Sequence, residues 1–240
     1  MNKILGILWD YDGTIIDTAS KNILVTIEVL KHFDKNIEKH LPKALINYDN
    51  YQIANHKYKN WKELYINEFG IKREDLEYAA SLWSPSQEKI NINPNIFKGM
   101  QELLKELDSY KMGICSQNTK EVIEKNLEYY KINNYIDTII GGLDVSIDKQ
   151  KPNPEGFIKC ASILNPNNDK GIYIYIGDHS DDVIFGKNAE KILGRVICIT
   201  IDHLKINKET YKTWNVLPDY YVENTKELKR VLTRIRKNYD

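Results

Sequence analysis

Two clusters of acidic residues stand out for their type and spacing. Asp10-Tyr11-Asp12-Gly13-Thr14 follows directly on the apolar run 4–9, and Gly177-Asp178-His179-Ser180-Asp181-Asp182 follows the apolar run 172–176. Two carboxylates at i and i+2, just past the C-terminal end of a strand, sit where open α/β sheets bind ligands. They repel one another unless a cation joins them. An EF-hand calcium loop is a poor match, because it needs acidic residues at positions 1, 3 and 5 with Gly at 6, whereas Gly13 stands at position 4 behind a strand. A plain acidic turn is the other bland reading. Gly177 lets the backbone turn sharply, and Asp178 then reaches the same sheet edge as Asp10 if the two strands are parallel neighbours. Hard oxygen ligands from two strand ends suit Mg²⁺, which keeps several waters and takes few protein carboxylates. Asp182, four residues on, is placed to orient Asp178 or a metal-bound water. Ser180 and Asp181 read more simply as caps of a helix starting near Asp182. His179 is a poor Mg²⁺ ligand and reads as local variation.

Two further positions carry polar chemistry. Ser116 follows the apolar run 111–115 and opens Ser-Gln-Asn-Thr before another helical stretch. A hydroxyl with free N–H groups at a helix start makes an anion site, although Ser, Asn and Thr are also the commonest caps. Lys151 lies in Lys-Pro-Asn-Pro. The two prolines stiffen the turn and hold a lysine outside regular structure, where it supplies a point charge for phosphate.

The elements that must position these residues follow from hydrophobic periodicity. Short, nearly continuous apolar runs at 4–9, 111–115, 136–140, 171–176 and 195–201 read as strands buried on both faces, as in a parallel sheet. Helix-period stretches at 97–107, 120–129, 154–164 and 182–192 alternate with them, and 224–238 reads as a closing amphipathic helix with a solvated charged face. That alternation predicts a doubly wound, mostly parallel α/β sheet. Residues 18–91 hold only amphipathic stretches, at 20–33, 60–68 and 73–83. Such a length is far too long for a βα loop, so it predicts a helical domain, 18–91, inserted into a core made of 1–17 and 92–240. Asn91 to Pro94 marks the return, because a residue before proline leaves the helical region.

Composition narrows the partners. The 240 residues carry 34 Lys+Arg against 34 Asp+Glu, a formal charge of zero that argues against nucleic acid or a membrane surface as partner. Three scattered cysteines, two of them in apolar runs, read as reduced core residues rather than staples. No apolar stretch approaches a membrane span and no secretory leader is evident, so the expected location is cytoplasmic.

Taken in order, strand-DxDGT, strand-Ser, Lys-Pro and strand-GDxxxD, the chain resembles the haloacid dehalogenase superfamily. Within it, the resemblance is to the subgroup of phosphoglycolate phosphatase and β-phosphoglucomutase, whose Rossmann-like core carries a helical cap between the first motif and the second strand. The resemblance covers essentially the whole chain. It implies a Mg²⁺-dependent phosphatase that acts on a small phosphorylated metabolite. Asp10 is implied as the nucleophile that becomes an aspartyl phosphate, and Asp12 as the acid and base for leaving group and water. Asp10, the Asp12 main-chain carbonyl and Asp178 are implied to hold Mg²⁺ with Asp182 nearby, while Ser116, Lys151, Thr14 and Asn118 bind phosphate. The family often has Asn directly after the Ser or Thr of the second motif, but here Gln117 intervenes. Asp12 argues against dehalogenases and phosphonate-cleaving members, which lack that carboxylate. The same chemistry would serve a sugar phosphomutase, and a phospho-acceptor signalling module is the reading from another class. Substrate choice in the subgroup falls to the cap, where His40, Lys43, Tyr48, Asn55, His56, Lys57 and Tyr58 are candidates, each read more simply as a solvated surface residue.

Overall fold

A computed structural model describes residues 3–239. In chain order the elements are β1 (Lys3–Trp9), β2 (Ile16–Asp17), α1 (Ala19–Leu30), α2 (Tyr48–Lys57), α3 (Trp61–Asn67), α4 (Leu76–Lys89), β3 (Asn95–Ile96), α5 (Met100–Glu106), β4 (Met112–Cys115) and α6 (Lys120–Tyr129). They continue as β5 (Thr138–Ile140), α7 (Glu155–Leu164), β6 (Gly171–Gly177), α8 (Ser180–Leu193), β7 (Val196–Ile201), β8 (Tyr220–Val222) and α9 (Thr225–Tyr239). Six strands form one sheet in the order β5-β4-β1-β6-β7-β8, each neighbouring pair parallel. The chain winds outward from β1 through β4 to β5, then crosses back to β6 and winds the other way. The order therefore reverses between β1 and β6, and their carboxyl ends border the crevice where such sheets bind ligands.

Alternation along the strands builds a core on each face. Ile7 and Trp9 of β1, Ile172, Ile174 and Ile176 of β6, and Ile197, Ile199 and Ile201 of β7 join Leu103 and Leu104 of α5, Ile123 and Leu127 of α6, and Leu228, Leu232 and Ile235 of α9. The α9 residues fall at i, i+4 and i+7, one stripe of a helix. On the other face Leu5, Leu8, Tyr173, Tyr175 and Cys198 pack with Phe157, Cys160 and Leu164 of α7 and Val183, Phe185 and Ala189 of α8. All three cysteines are buried and unbridged.

The chain divides into two compact units, 1–16 with 96–240, and Asp17–Asn95. The second unit is helical, around Val29, Leu30, Leu45, Tyr51, Tyr65 and Leu76. Asn47 caps α2 by accepting from the Asn50 N–H, and Asn60 caps α3 by accepting from the Glu63 N–H.

Three elements differ from the expected ones. The sheet has a sixth strand, β8, too short and too rich in tyrosine to stand out as an apolar run. Helix α2 lies outside the amphipathic stretches read in the inserted domain: it buries Tyr51, Gln52 and Ala54 but exposes Ile53, which blurs its periodicity. Helix α8 begins at Ser180, two residues earlier than expected, and its cap is neither Ser180 nor Asp181. His179 takes that position: its Nδ1 accepts from the Asp181 N–H while Asp182 accepts from the His179 N–H, a reciprocal capping box. Among the described residues no helix is long and apolar enough to cross a membrane.

Candidate active site

Registration of β1 with β6 pairs Trp9 with Ile176, so the residues after both strands emerge level at the sheet edge. The Asp10 N–H donates to the Ile176 carbonyl at 2.7 Å, extending the ladder one residue beyond the strand. The chain then turns through Gly13, whose φ of +78° is a left-handed conformation open to glycine. A Cβ there would lie 2.2 Å from an Asp178 carboxylate oxygen, so the turn after β1 is folded directly against Asp178. Tyr11, fully buried below the turn, accepts at its hydroxyl from Asn126 Nδ2 of α6 at 2.7 Å, anchoring Asp10 and Asp12 from the side opposite the crevice.

Asp10, Asp178 and Asp182 each offer a carboxylate oxygen within 4.8 Å of the others. Lys151, its side chain 8% exposed, ion-pairs with Asp10 Oδ1 and with Asp182 Oδ1, the latter at 2.8 Å. The loop that carries Lys151 is held by Asn188 Nδ2 donating to the Pro152 carbonyl at 3.0 Å and by Gln117 Nε2 donating to the Lys151 carbonyl at 3.4 Å. Gln117, which interrupts the expected Ser-Asn pair, thus braces the lysine loop. Thr14 is fully buried, its Oγ1 lying 3.4 Å from Asp10 Oδ2 and 3.3 Å from Asp178 Oδ1. It links the two carboxylates where a phosphate contact was expected. Ser116 Oγ donates to Asp12 Oδ2 at 3.3 Å, and Asn118 Nδ2 reaches both Asp12 oxygens at 3.2 and 3.3 Å. Both expected phosphate ligands from the β4 edge therefore address the Asp12 carboxylate, which is half-buried.

One lysine does not balance three buried carboxylates, and the protonation states show it. Burial, with Asp182 and Asp12 adding to it and Lys151 opposing, raises the Asp10 carboxyl to about 7. Burial and the neighbouring Asp10 and Asp182 also hold the Asp178 carboxyl well above its ordinary value. For Asp182 burial works in the same direction, but Lys151 and the His179 N–H outweigh it and the carboxyl lies below its usual range. Lys151 is held above its usual value because Asp10 and Asp182 overcome its own burial.

This imbalance fits a divalent cation, and it also sorts the ligands. Asp182 has Oδ1 engaged by Lys151 and by the Tyr175 hydroxyl at 3.1 Å, and Oδ2 by the His179 N–H at 3.1 Å. It is a clamp. Asp10 and Asp178 carry the uncompensated charge, and hard carboxylate oxygens from two strand ends suit Mg²⁺.

Sequence reasoning missed Tyr175, Asn126 and, beyond β7, Asp202, His203 and Asn207. Tyr175 alternates onto the α8 side of β6, a signal that strand periodicity carries once α8 is placed there. Within the helical unit, the Tyr48 hydroxyl donates to Asp17 Oδ2 at 2.9 Å and accepts from Gln52 Nε2 at 3.2 Å. His40 pairs with Asp34 on the surface, and the Tyr58 hydroxyl bridges Lys57 and Glu68.

The comparisons with known proteins agree with this fold. The model of the haloacid dehalogenase-like hydrolase family matches residues 7–192. A pyrophosphatase PpaX from Listeria welshimeri is 26% identical over 209 residues, covering 81% of this chain and 83% of its own. One from Bacillus mycoides is 25% identical over 235 residues, covering 97% and 99%. Among solved structures, a haloacid dehalogenase-like protein from Bacteroides fragilis superimposes with a TM-score of 0.72 at 21% identity, covering 94% of this chain and 100% of its own. A hydrolase from Pseudomonas syringae does so at 0.68 and 20% identity, covering 98% and 99%. These structures show the fold alone; the family match spans most of the chain and both acidic turns, and with it the protein is a member of the haloacid dehalogenase-like hydrolase family.

Proposed function

We propose that the protein is a Mg²⁺-dependent phosphohydrolase of small phosphorylated compounds, working through an aspartyl phosphate on Asp10. The observation that carries this reading is the pairing of Asp10 with buried Lys151 beside Asp178, with Asp12 two residues away on the same turn. A carboxylate oxygen of Asp10 attacks phosphorus in line, and the bond from phosphorus to the leaving oxygen breaks as the new bond forms. Asp12 gives its proton to that leaving oxygen. It then takes a proton from water, which attacks the acyl phosphate, releases inorganic phosphate and restores Asp10. Lys151 favours the ionised form of Asp10 against its burial and offers its positive charge to the phosphoryl oxygens. Ser116 and Asn118, which contact Asp12 here, orient its carboxylate toward the leaving group and lie close enough to the same oxygens to share them with a phosphate. Asp10, Asp178 and the Asp12 carbonyl are the groups that would hold Mg²⁺. When bound, the cation masks the negative charge that otherwise repels a phosphate from this pocket.

The inserted unit, Asp17–Asn95, is assigned substrate selection, the role the cap has in the subgroup this chain resembles. Two relatives of similar length are named pyrophosphatases, which supports inorganic pyrophosphate as a substrate beside phosphate monoesters. The test is release of inorganic phosphate from p-nitrophenyl phosphate, pyrophosphate and a panel of phosphorylated metabolites, with and without Mg²⁺. Mg²⁺-dependent release that disappears in Asp10→Asn supports the mechanism. Conversion of a hexose 1-phosphate to its isomer, with little phosphate released, would assign the chain to the mutase reading instead.

A further inference from the structure

Both acid-bearing turns are gripped from behind by one loop that the mechanism does not use. Strand β7 ends at Ile201, and the Asp202 N–H donates to the Val222 carbonyl at 2.8 Å, continuing the β7–β8 ladder. The Asp202 side chain, 3% exposed, then folds the following residues back on themselves. Its Oδ1 accepts from the Ile206 N–H at 3.0 Å, and its Oδ2 from the Asn207 N–H at 2.7 Å and the Tyr221 hydroxyl at 2.6 Å. Lys205 closes the turn with a φ of +59°.

Two side chains leave this closed loop toward the site. Asn207, 3% exposed, donates from Nδ2 to the main-chain carbonyl of Asp178 at 3.2 Å. His203 approaches the Thr14 carbonyl with Nε2 at 3.1 Å, and because a carbonyl can only accept, that nitrogen carries the proton. The ring is fixed by stacking on Phe97, 3.8 Å between centroids and 9° between planes. The loop therefore touches the turn after β1 and the turn after β6 at one main-chain carbonyl each, next to the Thr14 hydroxyl that links Asp10 and Asp178 from the front.

We propose that Asp202–Asn207 is the positioning element of the metal site, with Asn207 setting the peptide plane of Asp178, and hence the aim of its carboxylate, and His203 setting the turn that carries Asp10 and Asp12. This rests on the reading of Asp10 and Asp178 as Mg²⁺ ligands. Groups that orient metal ligands from outside typically account for about 10- to 100-fold in metal affinity. Asn207 meets Asp178 at its main-chain carbonyl, so its loss weakens metal uptake while leaving turnover at saturating metal nearly intact.

The experiment titrates Mg²⁺ into metal-free full-length protein by calorimetry, for wild type, Asn207→Ala and the same-sized Asn207→Asp, which loses the donor. In parallel, phosphate release is followed against Mg²⁺ concentration. The expected result is a dissociation constant for Mg²⁺ raised about tenfold in both variants, a matching rise in half-saturating Mg²⁺, and kcat at saturating Mg²⁺ within threefold of wild type. An unchanged dissociation constant in a folded variant, or a fall in kcat with metal binding unaltered, overturns the proposal. If Asn207→Ala does not fold, Asn207→Asp carries the test, and Tyr221→Phe, which takes one hydroxyl from Asp202, gives a smaller shift in the same direction. A wild type that takes up no Mg²⁺ overturns the metal reading itself and the positioning role with it. Wild-type uptake with identical variants overturns the positioning role alone.

Discussion

The turn after β1 and the turn after β6 are built alike and end in opposite chemical states. Each follows an apolar strand and presents an aspartate to the same lysine, Asp10 from the first and Asp182 from the second. In the second turn Asp182 gathers Lys151, the Tyr175 hydroxyl and the His179 N–H, and its carboxyl lies below the ordinary range. In the first, Asp10 shares that lysine and among the described residues has a further side-chain contact with Thr14, and its carboxyl rises to about 7. One carboxylate is saturated and holds the lysine in place; the other is held at Oδ2 by only a long contact to Thr14. A single buried cation thus serves two acids with different results.

Substitutions that exchange these roles test the contrast. Asp10→Asn removes the proposed nucleophile and should lower phosphate release on the order of 10³-fold or more while leaving the thermal midpoint at or above that of wild type; near-normal turnover would break the distinction. Asp182→Ala strips Lys151 of its second partner and leaves the Tyr175 hydroxyl and His179 N–H unmet. Breaking a buried pair in this way costs about 3–5 kcal/mol, read as a lowered denaturant midpoint, and a value near zero would show that Asp182 is no clamp. The metal-free protein should respond to pH through Asp10. Its carboxyl is raised from 3.8 to about 7 in the folded chain, so stability gained from that proton is present below pH 4 and is lost as pH rises toward 7. Added Mg²⁺ takes the proton's place, so its effect on the thermal midpoint should be larger at pH 8 than at pH 5, and a pH-independent effect would argue against metal at Asp10. The smallest effect belongs to Tyr175→Phe, which removes one hydrogen bond to Asp182 and should cost about 1–2 kcal/mol with Mg²⁺ binding unchanged.

Most of this site was legible because its parts sit immediately after apolar runs. Asp10, Asp12, Ser116 and Asp178 are each one to three residues past a strand of the parallel sheet, and strand order alone gathers them at one edge. Lys151 was legible through its prolines. The missing parts act through longer paths. His179 was set aside as variation because imidazole is an uncommon cap, yet its Nδ1 accepts a backbone N–H as an Asn oxygen would. Asn207 lies in a polar loop with no periodicity, and only the carboxylate of Asp202 and the unexpected strand β8 turn it back toward Asp178. In the helical unit, α2 escaped notice because buried Gln52 and exposed Ile53 invert the pattern that marks a helix face.

Gly13 has a consequence for how such a site can drift. Thr14, its neighbour in the first turn, and Asp178 of the second are 164 residues apart in sequence, yet a single methyl group at position 13 would overlap the Asp178 carboxylate. Neither turn can therefore accumulate change on its own: a substitution at 13 is tolerated only with a compensating retreat of Asp178, which in turn drags its grip on Thr14. The pair behaves as one heritable unit written in two distant stretches of the gene, and an enzyme engineer who wishes to transplant Asp10 with its turn must move both halves together.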